Sequence, residues 1–540
     1  MDFSTRIQKI ILPALILVTP FLVFLDYNSY CLGCAETWIA LSGLILLAMF
    51  CSLTMLLGGK IVSGLIMAVL ITAFIDIQFT PRNWMAWAEE WAAVLFFSGM
   101  QTFVLVLFLR EKFYTITTSV FLTFFAVTVL QLILTSKGKD TLFEHHQPSA
   151  YAPPRIIHLI LDEHIGIEGI PTDIQGGVAT KNFINQFYLK NGFHLFGGAF
   201  SRHFKTHHSL QTIVNFAPDS NSVQYNGTGF TLLRNRYFEL LSQRNYRIEA
   251  LSTGFVDFCS GNTVPVVACQ YDFGTLHTFA KLEVPVSRKF QVVISRYLTQ
   301  STVVSFLIRE AANLPSLRPL TWAFELDRMR LNSLGALHNL SILQKDASLL
   351  TRGTALVAHL MLPHAPYVAQ ADCSIRPPGR EFLWHNNNSF LPSTEGPTNT
   401  TASREERYKL YFEQLQCLYL KLDALFDRMR AAGVYDESII VLHGDHGSRI
   451  FINEPTSKNQ HVLTKQDLVD GFSTLFAMKL PGKTGGYDAS PIPLEQLFAK
   501  FAFEAGLSPT SFLPEKSEPY VYLTADDDKE FIRIPYISPK

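Results

Sequence analysis

Residues 438–447 read SIIVLHGDHG: a short apolar run, Ser438–Leu442, leads straight into His443-Gly444-Asp445-His446-Gly447. A run of that length bounded by turn residues suits a buried strand. A carboxylate beside an imidazole, held between glycines at a strand end, can present both side chains to one divalent cation. Mixed oxygen and nitrogen donors of this kind suit zinc or manganese. An isolated Asp-His pair is ordinarily just a turn, so the assignment depends on what the rest of the chain brings to it.

Just upstream, Arg404–Ala432 places Tyr408, Tyr411, Leu415, Leu418, Leu422 and Leu425 at helical spacing. Ahead of that helix, ALVAHLML at 355–362 is a second strand candidate, and Ile156–Leu161 is a third. Strands alternating with helices predict an α/β domain with a mostly parallel central sheet. Ligands in such sheets bind at the carboxyl ends of the strands. Each candidate strand runs into polar groups there: Asp162-Glu163, His364 and Asp445-His446. Adjacent carboxylates leaving a buried strand are costly unless paired or metal-bound, the bland alternative being a solvated loop start.

Residues 201–216, SRHFKTHHSLQTIVNF, lie between these strands. Leu210, Ile213 and Val214 suit a helix, and Thr206 stands at its start. Backbone N–H groups there favour an anion such as a phosphoryl group. A metal on the Thr206 hydroxyl would lower its pKa and make it a nucleophile; alone, it is a plain N-cap. His203, His207 and His208 can bind phosphate oxygens or move protons.

The first 135 residues are of another kind. Apolar stretches cover about Ile7–Phe24, Trp38–Leu57, Ile61–Phe79, Ala92–Leu109 and Tyr114–Leu134. Each approaches the ~20 residues needed to cross ~30 Å of hydrocarbon. Arg6, Lys9, Lys60, Arg110 and Lys112 fall in alternate connections, and Asp26, Glu36, Glu89 and Glu90, with Arg82, in the others. The positive-inside rule then predicts a cytoplasmic N-terminus and an extracytoplasmic position for everything after Thr135. Trp84, Trp87 and Trp91 suit an outer aromatic belt. The expected organisation is a transmembrane region of five helices (1–135), a linker (136–154) and an outer catalytic domain (155–540). Asn386–Thr401 reads as a surface loop. The formal net charge of -1 argues against a nucleic-acid partner.

Oxidising surroundings would permit disulfides between Cys259 and Cys269 and between Cys373 and Cys417. Cys31 and Cys34 form a CxxC for which a local disulfide, two free thiols, or a redox or zinc role are all open.

Asp162, Thr206 with Ser209 three residues on, His364 in Pro-His-Ala-Pro, and Gly444-Asp445-His446-Gly447 occur in an order that resembles the alkaline phosphatase/sulfatase superfamily. With the apolar helices ahead, the chain looks like the membrane-anchored sulfatase-like branch that includes lipoteichoic acid synthases and phosphoethanolamine transferases. The resemblance implies an alkaline-phosphatase-like α/β domain binding one divalent metal, manganese or zinc. It implies Asp162, Asp445, His446 and Thr206 as ligands, and Thr206 as the residue that takes the phosphoryl group. His364, His207 and Arg449 would stand on the substrate side. Two departures are plain. The branch often has Glu followed by Ser or Thr where this chain has Asp162-Glu163, which leaves open which carboxylate binds metal. The sulfatase signature Cys/Ser-x-Pro-x-Arg is absent around Thr206. A second metal has no clear ligand set beyond His461.

The expected activity is metal-dependent transfer of a phospholipid-derived phospho-head group to an envelope glycan or lipid, through a phosphothreonine. The rivals are an extracytoplasmic phosphodiesterase or sulfatase-like hydrolase with the same site, and an inactive membrane scaffold for envelope assembly. The expected location is the inner membrane, with the catalytic domain periplasmic.

Overall fold

The computed structural model describes residues 3–79, 90–110, 112–135, 152–225, 229–253, 255–261, 264–271, 275–281, 285–298, 300–304, 307, 311, 332–376, 400–509, 518–525 and 530–539. Trp84, Trp87, the side chain of Trp91, most of the 136–154 linker and the 386–399 loop lie outside the described residues. The chain divides into two compact units, Met1–Lys139 with Phe273–Met329, and Asp140–Asp272 with Arg330–Lys540. The expected 155–540 domain is therefore interrupted by a segment that gathers with the N-terminal helices.

The first unit opens with the helices α1 (Phe3–Tyr27), α2 (Ala35–Leu57), α3 (Gly59–Phe79), α4 (Glu90–Phe108) and α5 (Lys112–Thr135). Four of them, α1, α2, α3 and α5, are long and apolar enough to cross a membrane; in α4, the described residues include the shorter apolar stretch Ser98–Phe108. Leu12, Met55, Met67, Phe74 and Phe121 form a common core. Lys9 lies inside α1 rather than ahead of it: it is buried, and its Nζ donates to Ser63 Oγ at 2.8 Å.

The later segment of this unit packs on one end of the bundle. His277 Nδ1 donates to Ser29 O, just past α1, at 2.8 Å. The Tyr297 ring, on the helix Val286–Leu298, meets Phe21 at 5.2 Å and Phe24 at 5.6 Å. Asp76, in the last turn of α3, accepts from Ser301 Oγ at 2.5 Å and from the N–H groups of Thr302 and Val303 at 3.1 Å.

The second unit holds β1 (Ile156–Leu161), β2 (His194–Phe196), β3 (Val223–Tyr225), β4 (Phe230–Leu232), β5 (Arg247–Ser252), β6 (Val256–Asp257) and β7 (Ala268–Tyr271). After them come β8 (Thr354–Leu360), β9 (Ile439–His443), β10 (Phe476–Lys479), β11 (Gly486–Asp488), β12 (Tyr520–Thr524) and β13 (Phe531–Pro535). Eight form one sheet in the order β11-β2-β10-β9-β1-β8-β5-β7. It is parallel except where β10 pairs antiparallel with β2 and β9. The helices used below are α6 (Gly177–Lys190), α7 (Thr206–Asn215), α8 (Thr401–Ala431), α9 (Lys465–Phe472) and α10 (Leu494–Glu504).

β1 is buried at all six positions, which is why its sequence is a continuous apolar run rather than an alternation. Ile156 and Ile160 of β1, Val357 of β8 and Val441 of β9 share one core with Leu210 and Ile213 of α7 and Phe498 of α10. The register pairs Leu161 with Leu360 and Ile160 with His443, so the three strands end level. Cys259–Cys269 and Cys373–Cys417 are disulfide-bonded, as is Cys31–Cys34.

Candidate active site at the carboxyl ends of three parallel strands

Level strand ends bring Asp162-Glu163, His364 and Asp445-His446 to one place. Asp162, Glu163, Asp445 and His446 are fully buried there. Asp162 continues the parallel pairing, its N–H donating to Leu360 O at 3.0 Å. Glu163 then takes the left-handed conformation, φ 61°, rare for a residue with a long side chain. That turn aims the Glu163 N–H at Asp445 Oδ1, 3.0 Å away, and so locks the first strand's exit to the third's.

The glycines around Asp445-His446 are required by close approach. A Cβ on Gly444 would collide with Thr474 Oγ1 and the carbonyl of His164, and one on Gly447 with the carbonyl of Asp470.

The polar atoms at the centre are incompletely satisfied. Asp162 Oδ2 meets His359 Nε2 at 2.8 Å, but Asp162 Oδ1 has no hydrogen-bond partner. Asp445 Oδ2 lies 3.0 Å from His446 Nε2 without hydrogen-bond alignment, and it too has none. His446 Nδ1 faces Gly447 O at 3.0 Å. A proton placed there leaves the Nε2 lone pair facing the two carboxylates. One ligand atom from each of Asp162, Asp445 and His446 falls within 4.8 Å of the others. Two orphaned buried carboxylate oxygens and an imidazole lone pair are the donor set a divalent cation needs, since such oxygens are costly to bury otherwise. The residues present therefore fit the metal that the resemblance implies.

The surrounding carboxylates favour a positive charge at this spot. Burial pushes the Asp445 carboxyl up, but His446, and then His359 and the Glu163 N–H, outweigh it and hold the group well below the usual carboxylate range. Burial lowers His446, and Asp445 and Asp162 together raise it above the ordinary imidazole value.

Thr206 is the first residue of α7, not its N-cap, which is Lys205. Its Oγ1 lies 3.1 Å from His446 Nε2. Ser209 Oγ donates to Asp445 O at 2.5 Å and meets Ser201 Oγ at 2.8 Å, so it ties the helix to the Asp-His turn.

His364 Nε2 stands 3.4 Å from Glu163 Oε1, and Arg449 Nη1 3.8 Å from the same oxygen. Asp162, Glu163 and His364 make a second metal-compatible group that shares Asp162 with the first. His461 is exposed and belongs to neither. His207 stacks on Phe230, ring centroids 3.8 Å apart. Burial, then His208, Lys205, His203 and Arg449, lower its pKa to about 2, so it is neutral near pH 7.

His359 is a participant that sequence reasoning missed. It sits inside the apolar run of β8 with Thr253 Oγ1 3.2 Å from its Nδ1, and it fixes the Asp162 carboxylate from behind. A lone imidazole within ALVAHLML was the available signal.

No family model matches the sequence, and no curated protein matches it. Among solved structures, the chain is similar to the C-terminal periplasmic domain of EcEptC from Escherichia coli, at 14% identity over 73% of this chain and 96% of that one, TM-score 0.38. It is also similar to the phosphonate monoester hydrolase of Agrobacterium radiobacter, at 13% identity over 68% and 80% of the two chains, TM-score 0.40. For the lipoteichoic acid synthase LtaP from Listeria monocytogenes the identity is 12% over 73% and 89%, TM-score 0.34. In motif order alone the chain resembles the alkaline phosphatase/sulfatase superfamily.

Proposed function

We propose that the chain is a membrane-anchored, metal-dependent transferase that moves a phospholipid-derived phospho-head group to an envelope glycan or lipid through a phosphothreonine at Thr206. One observation carries the proposal: the Thr206 hydroxyl, at a helix start, lies 3.1 Å from the imidazole of a buried Asp-Asp-His group with two orphaned carboxylate oxygens. Asp162, Asp445, His446 and the Thr206 hydroxyl would hold one divalent ion, zinc or manganese. When bound, it supplies Lewis acidity that lowers the hydroxyl pKa.

The reaction we assign has two displacements. Thr206 Oγ, having given up its proton, forms a bond to phosphorus, and the bond from phosphorus to the diacylglycerol oxygen breaks. The leaving oxygen takes a proton and diacylglycerol departs. An acceptor hydroxyl then loses its proton and attacks phosphorus, and Thr206 Oγ leaves and is reprotonated. The N–H groups at the start of α7 favour the phosphoryl charge. We assign His364, His207 and Arg449 to the substrate side, and an extracytoplasmic location to the domain.

The test is a rapid acid quench of substrate-treated protein followed by peptide mass spectrometry. A phosphoryl adduct on the peptide containing Thr206, and loss of turnover with metal retained in Thr206→Ala, are the expected results. An adduct on Ser209, or full activity in Thr206→Ala, removes the assigned nucleophile. Release of free phospho-head group, with none on an added glycan or lipid, makes water the acceptor and the protein a hydrolase.

A further inference from the structure

Arg404, Tyr408, Tyr411, Gln414 and Cys417 recur along α8 at intervals of three or four residues, so each is a surface neighbour of the next along the helix. Together they reach α9 and the three strand-end loops. Tyr408 Oη donates to Asp470 Oδ1 at 2.5 Å and lies 2.8 Å from Ser448 Oγ, beside the Asp445-His446 turn. Tyr411 Oη donates to Glu163 O at 2.8 Å and accepts from Ile165 N at 2.9 Å, bracketing the exit of β1.

Gln414 is fully buried, and its amide is given over to the loop that carries His364. Its Oε1 accepts from Val368 N at 2.7 Å and Ala369 N at 3.2 Å. Its Nε2 donates to Pro363 O and His364 O, both at 3.0 Å. Cys417 closes the far end of the same loop through its disulfide to Cys373.

Prolines at 363 and 366 remove two N–H groups from this loop, and its buried backbone groups need partners, which Ser333 Oγ supplies in part by donating to His364 O at 2.7 Å. Gln414 meets that need from a helix already fixed to the other two loops. We propose that Gln414 is a positioning residue for His364, and that these residues of α8 set the three strand-end loops in mutual register for the reaction. The proposal rests on the phosphoryl-transfer reading of the site.

A double-mutant cycle on the purified full-length chain tests it, with bis(p-nitrophenyl) phosphate as probe. Gln414→Ala should lower turnover about tenfold, as for residues coupled through direct contact, and should cost nothing further in the His364→Ala background. Losses that multiply, or an unimpaired His364→Ala, overturn the proposal. Gln414→Glu keeps the acceptor for Val368 and Ala369 but loses the donors, and it replaces the alanine variant in the cycle if that variant does not fold. A second arm is independent of turnover. Amide hydrogen exchange at Val368 and Ala369 should quicken in Gln414→Ala while the amides of β1 are unchanged; unchanged exchange at both residues also overturns it. A wild-type chain that neither turns over the probe nor forms the Thr206 adduct refutes the phosphoryl-transfer reading instead, and hydrogen exchange then decides the positioning role alone.

Discussion

Asp445 answers two demands at once: Oδ1 accepts the Glu163 N–H at 3.0 Å, and Oδ2 is left in the cluster without a hydrogen bond. Asp445→Ala should therefore lose bound metal and turnover together. The Glu163 N–H, orphaned, should cost a further ~1–3 kcal/mol of stability. Elemental analysis and thermal melts check both, and a variant that keeps its metal and its activity makes the turn structural. At this scale the sequence pointed to residues whose neighbours are diagnostic, such as an Asp-His between glycines and a carboxylate pair after an apolar run. His359 escaped because its role depends on a partner nearly two hundred positions away, Asp162, which only strand pairing makes a neighbour. The contact of Ser209 with the carbonyl of Asp445 depends in the same way on a partner far along the chain.

Among elements, apolar runs located the central strands closely: Ile156–Leu161 is β1 itself, and Ser438–Leu442 differs from β9 by one residue at each end. α8 begins at Thr401, three residues before the expected Arg404, because Thr400 and Ser403 form a capping box that apolar periodicity does not register. Polar residues of α8 do as much to place the site as its apolar stripe. Arg404 Nε donates to Asp470 Oδ2 at 2.8 Å, and the pair is buried between α8 and α9. Arg404→Ala would leave the Asp470 carboxylate buried and unpaired, at a cost of roughly 3–5 kcal/mol. Chemical denaturation of Arg404→Ala beside Arg404→Ala/Asp470→Asn checks this. The double variant should recover much of the loss; no recovery would mean that Arg404 acts through packing alone.

At the scale of the whole molecule, α1 and α3 end at the same face of the bundle, and residues 277–303 pack there. The alternation of basic and acidic connections predicts five crossings. A phosphatase reporter fused after Lys139 should be active and one fused after Lys60 inactive; the reverse result would put the outer unit in the cytoplasm and remove the setting for its disulfides.

Composition and periodicity alone determined the membrane region, the parallel α/β sheet and the order of its polar strand ends. Each of these depends on residues close in sequence, through helix length, strand burial and turn chemistry. Three features were decided only by tertiary structure: the pairing of Asp162 with His359, the grip of Gln414 on the His364 loop, and the return of Phe273–Met329 to the N-terminal helices. Each joins positions far apart in the chain, through hydrogen bonds or packing that exist only once strands and helices have met. No local pattern of residues encodes such a meeting.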